Sequence, residues 1–438
     1  MNLCAKHKTG LVFFPAFDWA ISPTHPEREE RLLYTQDQVF EEGILDIDGI
    51  EEFKPDVVSS NDVRRAHFCV PDPGYVMTES HFISAGGAKT IGKAVVEKRV
   101  ERGFALVRPP GHHACRVVHG ARGFCNVNIE AIMIEYLRSR FGIRKVAIVD
   151  TDCHHGDGTQ DIYWHDPNTL FISVHQDGRT LYPGSGFANE MGGPNAVGTT
   201  VNIPLPPNTS EEGFLHALEH CIMPIVKDFQ PELIVNSAGQ DNHYTDPITN
   251  MNFSARGYAD LTSILKPDIA VLEGGYAIEG ALPYINAGII LAMAGMDYSR
   301  LREPDYDPEK IRQSPQITKF IEESCARILG NWHQRHHLQE KIRGEEKCNE
   351  RSRGIYYDTD NIQERQNEFI QICDACAGAL RIDSAADNGK HVLCIHIPLG
   401  ACESCRGIGQ GWYDGADLDK YDHIFIQDRE NDIYMEKA

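Results

Sequence analysis

No stretch of this 438-residue chain approaches the ~20 consecutive apolar residues a membrane helix needs, so no membrane-spanning segment is expected. Basic charge is scarce too: 42 Lys and Arg stand against 64 Asp and Glu, a formal net charge of -22. A surface of that sign repels phosphate backbones, so no direct nucleic-acid binding is expected. The apolar run Leu11 to Phe17 gives way at once to polar residues, which does not read as an export signal. The 13 cysteines are an odd number, and several (Cys69, Cys125, Cys221, Cys325) sit singly in apolar segments as buried thiols do. A reducing compartment, the cytoplasm, is the expectation. Internal repeats and low-complexity tracts are absent. What is present, 41% hydrophobic and 24% charged residues, is the balance of a globular protein rather than a disordered one.

Six short, nearly continuous apolar runs read as strands covered on both faces: 104–108, 145–150, 169–174, 199–203, 232–237 and 268–273. Helical segments are expected over 128–140, 210–229, 254–265, 279–295 and 315–329. Strand–helix alternation of this kind predicts an α/β domain with a mainly parallel sheet, covering residues 1–330. Residues 331–369 are rich in charge and read as a linker, and 370–438 as a second small domain.

The strand ends carry the chemistry. Asp150-Thr151-Asp152-Cys153-His154-His155-Gly156-Asp157-Gly158 follows the 145–150 run directly. An extended chain alternates faces, so Asp150, Asp152 and His154 project together. Ligands bind beyond the carboxyl ends of such strands, and a mixed carboxylate and imidazole set suits zinc or a similar divalent ion. The bland alternative, an Asp- and Gly-rich helix cap, leaves three polar groups on one face unexplained. The 104–108 run ends in Pro109-Pro110-Gly111-His112-His113, a histidine pair on a stiff loop. Two further strands end in Gly239-Gln240-Asp241 and Glu273-Gly274-Gly275-Tyr276. Each of these ends alone reads as an ordinary turn; four together read as a site.

Arg108-Pro-Pro-Gly-His-His-Ala, Asp150-Thr-Asp-Cys-His-His-Gly-Asp-Gly and Leu272-Glu-Gly-Gly-Tyr resemble the signature motifs of the zinc-dependent histone deacetylase and acetylpolyamine amidohydrolase superfamily, nearer its class II and bacterial branches. His25-Pro26-Glu27-Arg28, with Arg31, resembles that family's N-terminal motif. The resemblance runs from about residue 10 to 300 and implies an arginase/deacetylase-like α/β fold. It implies Asp152, His154 and Asp241 as ligands of a catalytic zinc. His112 and His113 match the tandem histidines, with Asp150 and Asp157 as their carboxylate partners, and Tyr276 the tyrosine that polarises the amide carbonyl. Gly123, Phe124 and Tyr182 match the walls of the substrate tunnel. Asp150, Ser173 and nearby backbone match a structural K+ site. Ile248 stands where polyamine-selective members have Glu, and Asp72 is the nearest candidate for the family's rim aspartate. The implied activity is removal of acetyl or a related acyl group from an amine such as acyl-lysine or acetylpolyamine. An arginase-like ureohydrolase and a catalytically inactive acyl-binding protein are the alternatives.

Near the C-terminus Cys373-Asp-Ala-Cys376 and Cys402-Glu-Ser-Cys405 form two C-x2-C pairs 25 residues apart. Paired knuckles of this kind predict a second, structural zinc in a ribbon-like domain. That domain is acidic, so its expected roles are protein contact, cover of the active-site rim or homo-oligomerisation.

Overall fold

A computed structural model describes residues 3–343 and 346–438. Eight strands form one sheet in the order Asp48–Phe53, Cys4–Phe14, Arg102–Val107, Ile269–Val271, Leu233–Ser237, Val146–Asp150, Thr169–Gln176, Thr200–Leu205. Every neighbouring pair is parallel. The six strands expected from apolar runs are all there. Their continuity has a direct cause, because helices cover both faces. Val146 and Ile148 pack with Ile91, Met133 and Leu137 on one side. Ala147 and Val149, one residue out of phase, pack with Phe214, Leu265 and Ile289 on the other. Register aligns the chemistry: Asp150 pairs with Ser237, Ser237 with Val271, and Val271 with Ala105. The loops that follow these four strands therefore open at one edge of the sheet.

Residues 331–369 are not a linker. The helix Pro315–His333 runs past Gly330, a helix Arg335–Arg343 follows, and Cys348–Tyr357 and Ile362–Gln371 form a hairpin. That hairpin begins a six-stranded mixed sheet completed by Leu380–Ala386, His391–Ile397, His423–Asp428 and Ile433–Lys437. The charged sequence hides the strands because their buried face is polar. Glu364, Gln366 and Glu368 point inward. Arg351 and Arg353 bind Glu368 from the neighbouring strand, and Arg353 also pairs with Asp161 of the larger domain.

Alternation in His391–Ile397 splits the small sheet into two faces. Val392 and Cys394 pack with Phe68, Val70 and Val117, so one face is buried against the larger domain. Leu393, Ile395 and Ile397 pack with Tyr413 of the helix Glu403–Asp414. No helix among the described residues is long and apolar enough to cross a membrane.

Candidate active site

The loop after Arg102–Val107 is held from below. Glu273, fully buried, accepts the backbone N–H groups of Gly111 (2.7 Å) and His112 (3.0 Å). His112 and His113 then face two different carboxylates. His112 Nδ1 lies 3.1 Å from Asp150 Oδ2, and His113 Nδ1 lies 2.8 Å from Asp157 Oδ1. Their environments drive the two rings apart. Burial pushes His112 down, but the charges of Asp152 and Asp150 lift it well above the ordinary histidine range. Burial and the neighbouring His112 charge push His113 down to about 3. Arg122 explains why Asp157 does not reverse this, since it binds the same carboxylate. These surroundings favour the neutral ring of His113 and the protonated ring of His112.

Asp152, His154 and Asp241 converge on the neighbouring strand ends, with one donor atom from each within 4.8 Å of the others. His154 Nδ1 lies 2.8 Å from Asp241 Oδ2 and 3.2 Å from Asp152 Oδ1. The second carboxylate oxygens are already used: Gly274 N donates to Asp152 Oδ2 at 2.7 Å, and Cys153 N to Asp241 Oδ1 at 2.7 Å. Two fully buried carboxylates beside an imidazole need a proton or a cation between them. Two carboxylates and one imidazole form a donor set that suits a divalent ion such as zinc. The space is kept by glycine, because a Cβ on Gly239 would collide with Asp152, and one on Gly274 would meet both carboxylates. The residues fit such an ion.

Tyr276 completes the cluster. Its backbone N–H donates to Asp246 Oδ2 at 2.8 Å. Burial pushes its hydroxyl well above the ordinary range despite nearby Arg31, so it stays a proton donor. Arg31 stacks 5.0 Å from the ring centroid and donates to the carbonyls of Gly275 and Glu273. Glu27, wholly buried, bridges Arg31 and Arg108. The His25-Pro26-Glu27-Arg28 motif therefore braces the tyrosine loop.

Phe124 lies edge-on to Tyr276, with centroids 5.6 Å apart, and Tyr182 edge-on to His113 at 5.1 Å. Both line the approach to the histidines. Gly123 has φ +51°, and a Cβ there would strike the His113 ring. Ile248 sits further out, on the turn whose Asp246 holds Tyr276. Asp72, the candidate for the rim aspartate, has its contacts elsewhere. It caps the turn Pro73–Val76 and shares a groove with Tyr434 and Met435 instead.

A rim carboxylate comes from the small domain, which the sequence reading did not anticipate. Asp358, at the tip of the Cys348–Gln371 hairpin, accepts Gly123 N at 3.1 Å. Its neighbours grip the same loop: Ala121 N donates to Asp360 Oδ2 at 2.6 Å and Arg122 Nε to the Tyr356 carbonyl at 3.3 Å. The hairpin thus clamps the segment carrying Arg122 and Phe124. Asp358→Ala is expected to lower kcat/KM by about fivefold, the scale of one lost hydrogen bond, and Asp358→Asn to retain most of it. Steady-state kinetics of the pair check this. Equal losses in both variants would mean that the charge, not the acceptor, is what matters.

In the small domain the four expected cysteines also meet. Cys373 Sγ lies 3.6 Å from Cys376 Sγ and 3.8 Å from Cys402 Sγ. Backbone N–H groups of Ala375, Gly378 and Cys405 point at the sulfurs of Cys373, Cys376 and Cys402. Those are the turns that deliver thiolates to a tetrahedral ion.

Residues 47–287 match the histone deacetylase domain family. A probable deacetylase of Archaeoglobus fulgidus is 45% identical over 69% of this chain and 90% of its own length. A histone deacetylase-like amidohydrolase of Pseudomonas aeruginosa is 32% identical over 53% of this chain, which spans 62% of that protein. The crystal structure of the HDA15 HD domain superposes with a TM-score of 0.65 at 25% identity, covering 77% of this chain and 99% of that one. With more than half of its length matched and the fold shared, the chain belongs to the histone deacetylase domain family.

Proposed function

We propose that this chain is a zinc-dependent deacetylase that hydrolyses the amide of an acylated amine, an acyl-lysine or an acetylated polyamine. The observation that carries the reading is the meeting, in one cleft, of three ion-binding side chains, two histidines of opposite protonation preference and a protonated tyrosine.

Asp152, His154 and Asp241 hold the ion. Zinc there supplies Lewis acidity toward the scissile carbonyl and toward water. His113, its Nδ1 occupied by Asp157, takes the proton of the attacking water at Nε2 and delivers it to the leaving nitrogen. A C–O bond forms, the C–N bond breaks, and with the second water proton passing to the amine a carboxylate and an ammonium leave. His112, charged beside Asp150, adds positive potential where the carbonyl oxygen gains negative charge. The Tyr276 hydroxyl donates a hydrogen bond to that same oxygen. Phe124 and Tyr182 enclose the acyl-bearing chain. Asp150 and Ser173, paired in register on adjacent strands, suit the K+ site. Cys373, Cys376, Cys402 and Cys405 hold a structural zinc.

The arginase-like alternative needs a second ion beside the first. Among the described residues the cleft gathers one carboxylate–imidazole trio, and Asp150 is committed to His112. Loss of a ligand or of the tyrosine would mark an inactive binding protein, and Asp152, His154, Asp241 and Tyr276 are all in place.

The test combines turnover and metal content. Purified zinc-loaded protein should cleave at least one of an acetyl-lysine peptide, longer acyl-lysine peptides and acetylated polyamines. Metal analysis should give about two zinc ions per chain. The double variant Asp152→Ala/Asp241→Ala, and Gly239→Ala, which removes no donor but drives a methyl group into Asp152, should each lose one of them. Full zinc retention in the double variant would overturn the ligand assignment, and inactivity on every substrate would overturn the reaction.

A further inference from the structure

The junction of the two domains holds a partly open cavity of about 50 Å³ that lies apart from the catalytic cleft. Its walls include Arg144, Asp166 and Asn168, which precede the strands Val146–Asp150 and Thr169–Gln176. They belong to the opposite edge of the sheet from the catalytic groups. The small domain closes the other side with residues that include His396 and Arg429.

Positive charge concentrates there. Arg65, Arg116, Arg138, Arg144 and Arg429 line the cavity against two carboxylates, Glu135 and Asp166. On a chain of net charge -22 this is the reverse of the average. Several of these arginines have partners: Arg65 binds Asp62 and Asp432, Arg138 binds Glu135 and Asp166, and Arg429 shares Glu135. Among the described residues Arg116 has no ion pair of that kind. It is 7% exposed, and its guanidinium reaches neutral groups there, Gln427 Oε1 at 3.3 Å, His396 Nδ1 at 3.4 Å and the Ile162 carbonyl. Burial also pushes Arg116 and Arg429 below the ordinary arginine range, although Asp161, Glu368 and Asp166 act on Arg116 in the opposite direction. Two more groups are left open. Tyr163, 3% exposed, lines the cavity with a hydroxyl that has no hydrogen-bond partner among the described residues, and Arg138 Nε has none there either.

A buried guanidinium without a counter-charge is strongly unfavourable, and water cannot neutralise it. An oxyanion can, and it also accepts from a phenol hydroxyl. The planar guanidinium fork matches phosphate geometry. The volume is that of a few waters or one tetrahedral anion, not of a nucleoside. We propose that this cavity is a binding site for a single tetrahedral oxyanion of the phosphate class, which bridges the catalytic domain and the C-terminal sheet.

The test uses the full-length, zinc-loaded protein. Titration with inorganic phosphate should give saturable binding by calorimetry, and the unfolding temperature should rise with the logarithm of phosphate concentration. Sodium chloride at equal ionic strength should do neither. Tyr163→Phe and Arg144→Gln leave the packing intact, since one is nearly isosteric and the other is exposed. Each should weaken phosphate binding by about threefold to tenfold, the scale of one hydrogen bond or one partly solvated charge. Arg116→Gln should weaken it further where that variant folds. Adenosine diphosphate should not compete, because the cavity has no room for its base. No saturable binding, unchanged affinity in both Tyr163→Phe and Arg144→Gln, or displacement of phosphate by adenosine diphosphate would each overturn the proposal.

Discussion

Tyr276→Phe and His113→Ala should each lower turnover by roughly 10²–10⁴-fold while zinc content stays at the wild-type level. The tyrosine variant is the cleaner of the two. Phe keeps the ring that packs against Phe124 and under Arg31, so the loop stays braced and only the hydroxyl is lost. That hydroxyl remains protonated at neutral pH because burial raises it, and a donor aimed at a developing oxyanion is worth several kcal/mol. His113→Ala removes the neutral base but leaves Asp157 paired with Arg122, so no buried charge is stranded. Asp157→Asn separates the roles. It keeps the ring in place and removes the charge opposite Nδ1, so a smaller loss than in His113→Ala is the expected order. Steady-state kinetics on a responsive substrate, with metal analysis of the same samples, decide the matter. Near-normal turnover in either Tyr276→Phe or His113→Ala would remove that group from the mechanism.

The inner strands could be read because each is covered on both faces, which leaves continuous apolar runs such as Val146–Asp150. The two strands at one end of the sheet could not. Cys4–Phe14 alternates exposed and half-buried residues in its first half, and Asp48–Phe53 buries only Ile50 and Phe53. The helix Glu79–Val96 was missed for another reason. Its glycines sit where backbone and side chains approach closely, and a Cβ on Gly86 would strike the Asp56 carbonyl. Glycine there lowers helix propensity in exchange for packing. Within the site, polar groups at four strand ends were legible as a cluster, and their individual roles came from the resemblance of the motifs to a known family. Arg122 and Asp358 were not, since a lone Arg before Gly123 and a lone Asp in a charged stretch carry no spacing signal. Both act by contacts between residues far apart in sequence, and only the docked hairpin brings Asp358 to Gly123.

Cys373→Ser combined with Cys405→Ser should remove one zinc per chain and leave the other in place. Tetrahedral thiolate coordination contributes on the order of 10 kcal/mol to folding of small zinc domains, far more than any single contact in this sheet. The consequence should reach beyond the cysteines. The Cys373 backbone N–H donates to Asn195 Oδ1, and Asn195 Nδ2 donates to the carbonyls of Gln371 and Ala377, so the first knuckle is seated on the catalytic domain. Arg343 fastens the same place through the Cys373 and Pro194 carbonyls. Gln371 ends the hairpin whose other end holds Gly123. Loosening the knuckles should therefore free the 346–438 segment to protease and also lower turnover, through the clamp on Arg122 and Phe124 rather than through the catalytic ion. Time-resolved proteolysis, metal analysis and kcat/KM measured on one preparation separate these effects. A wild-type protein with only one zinc, or a double variant as protease-resistant and as active as wild type, would mean that the four thiols meet without an ion and that the small sheet holds itself together.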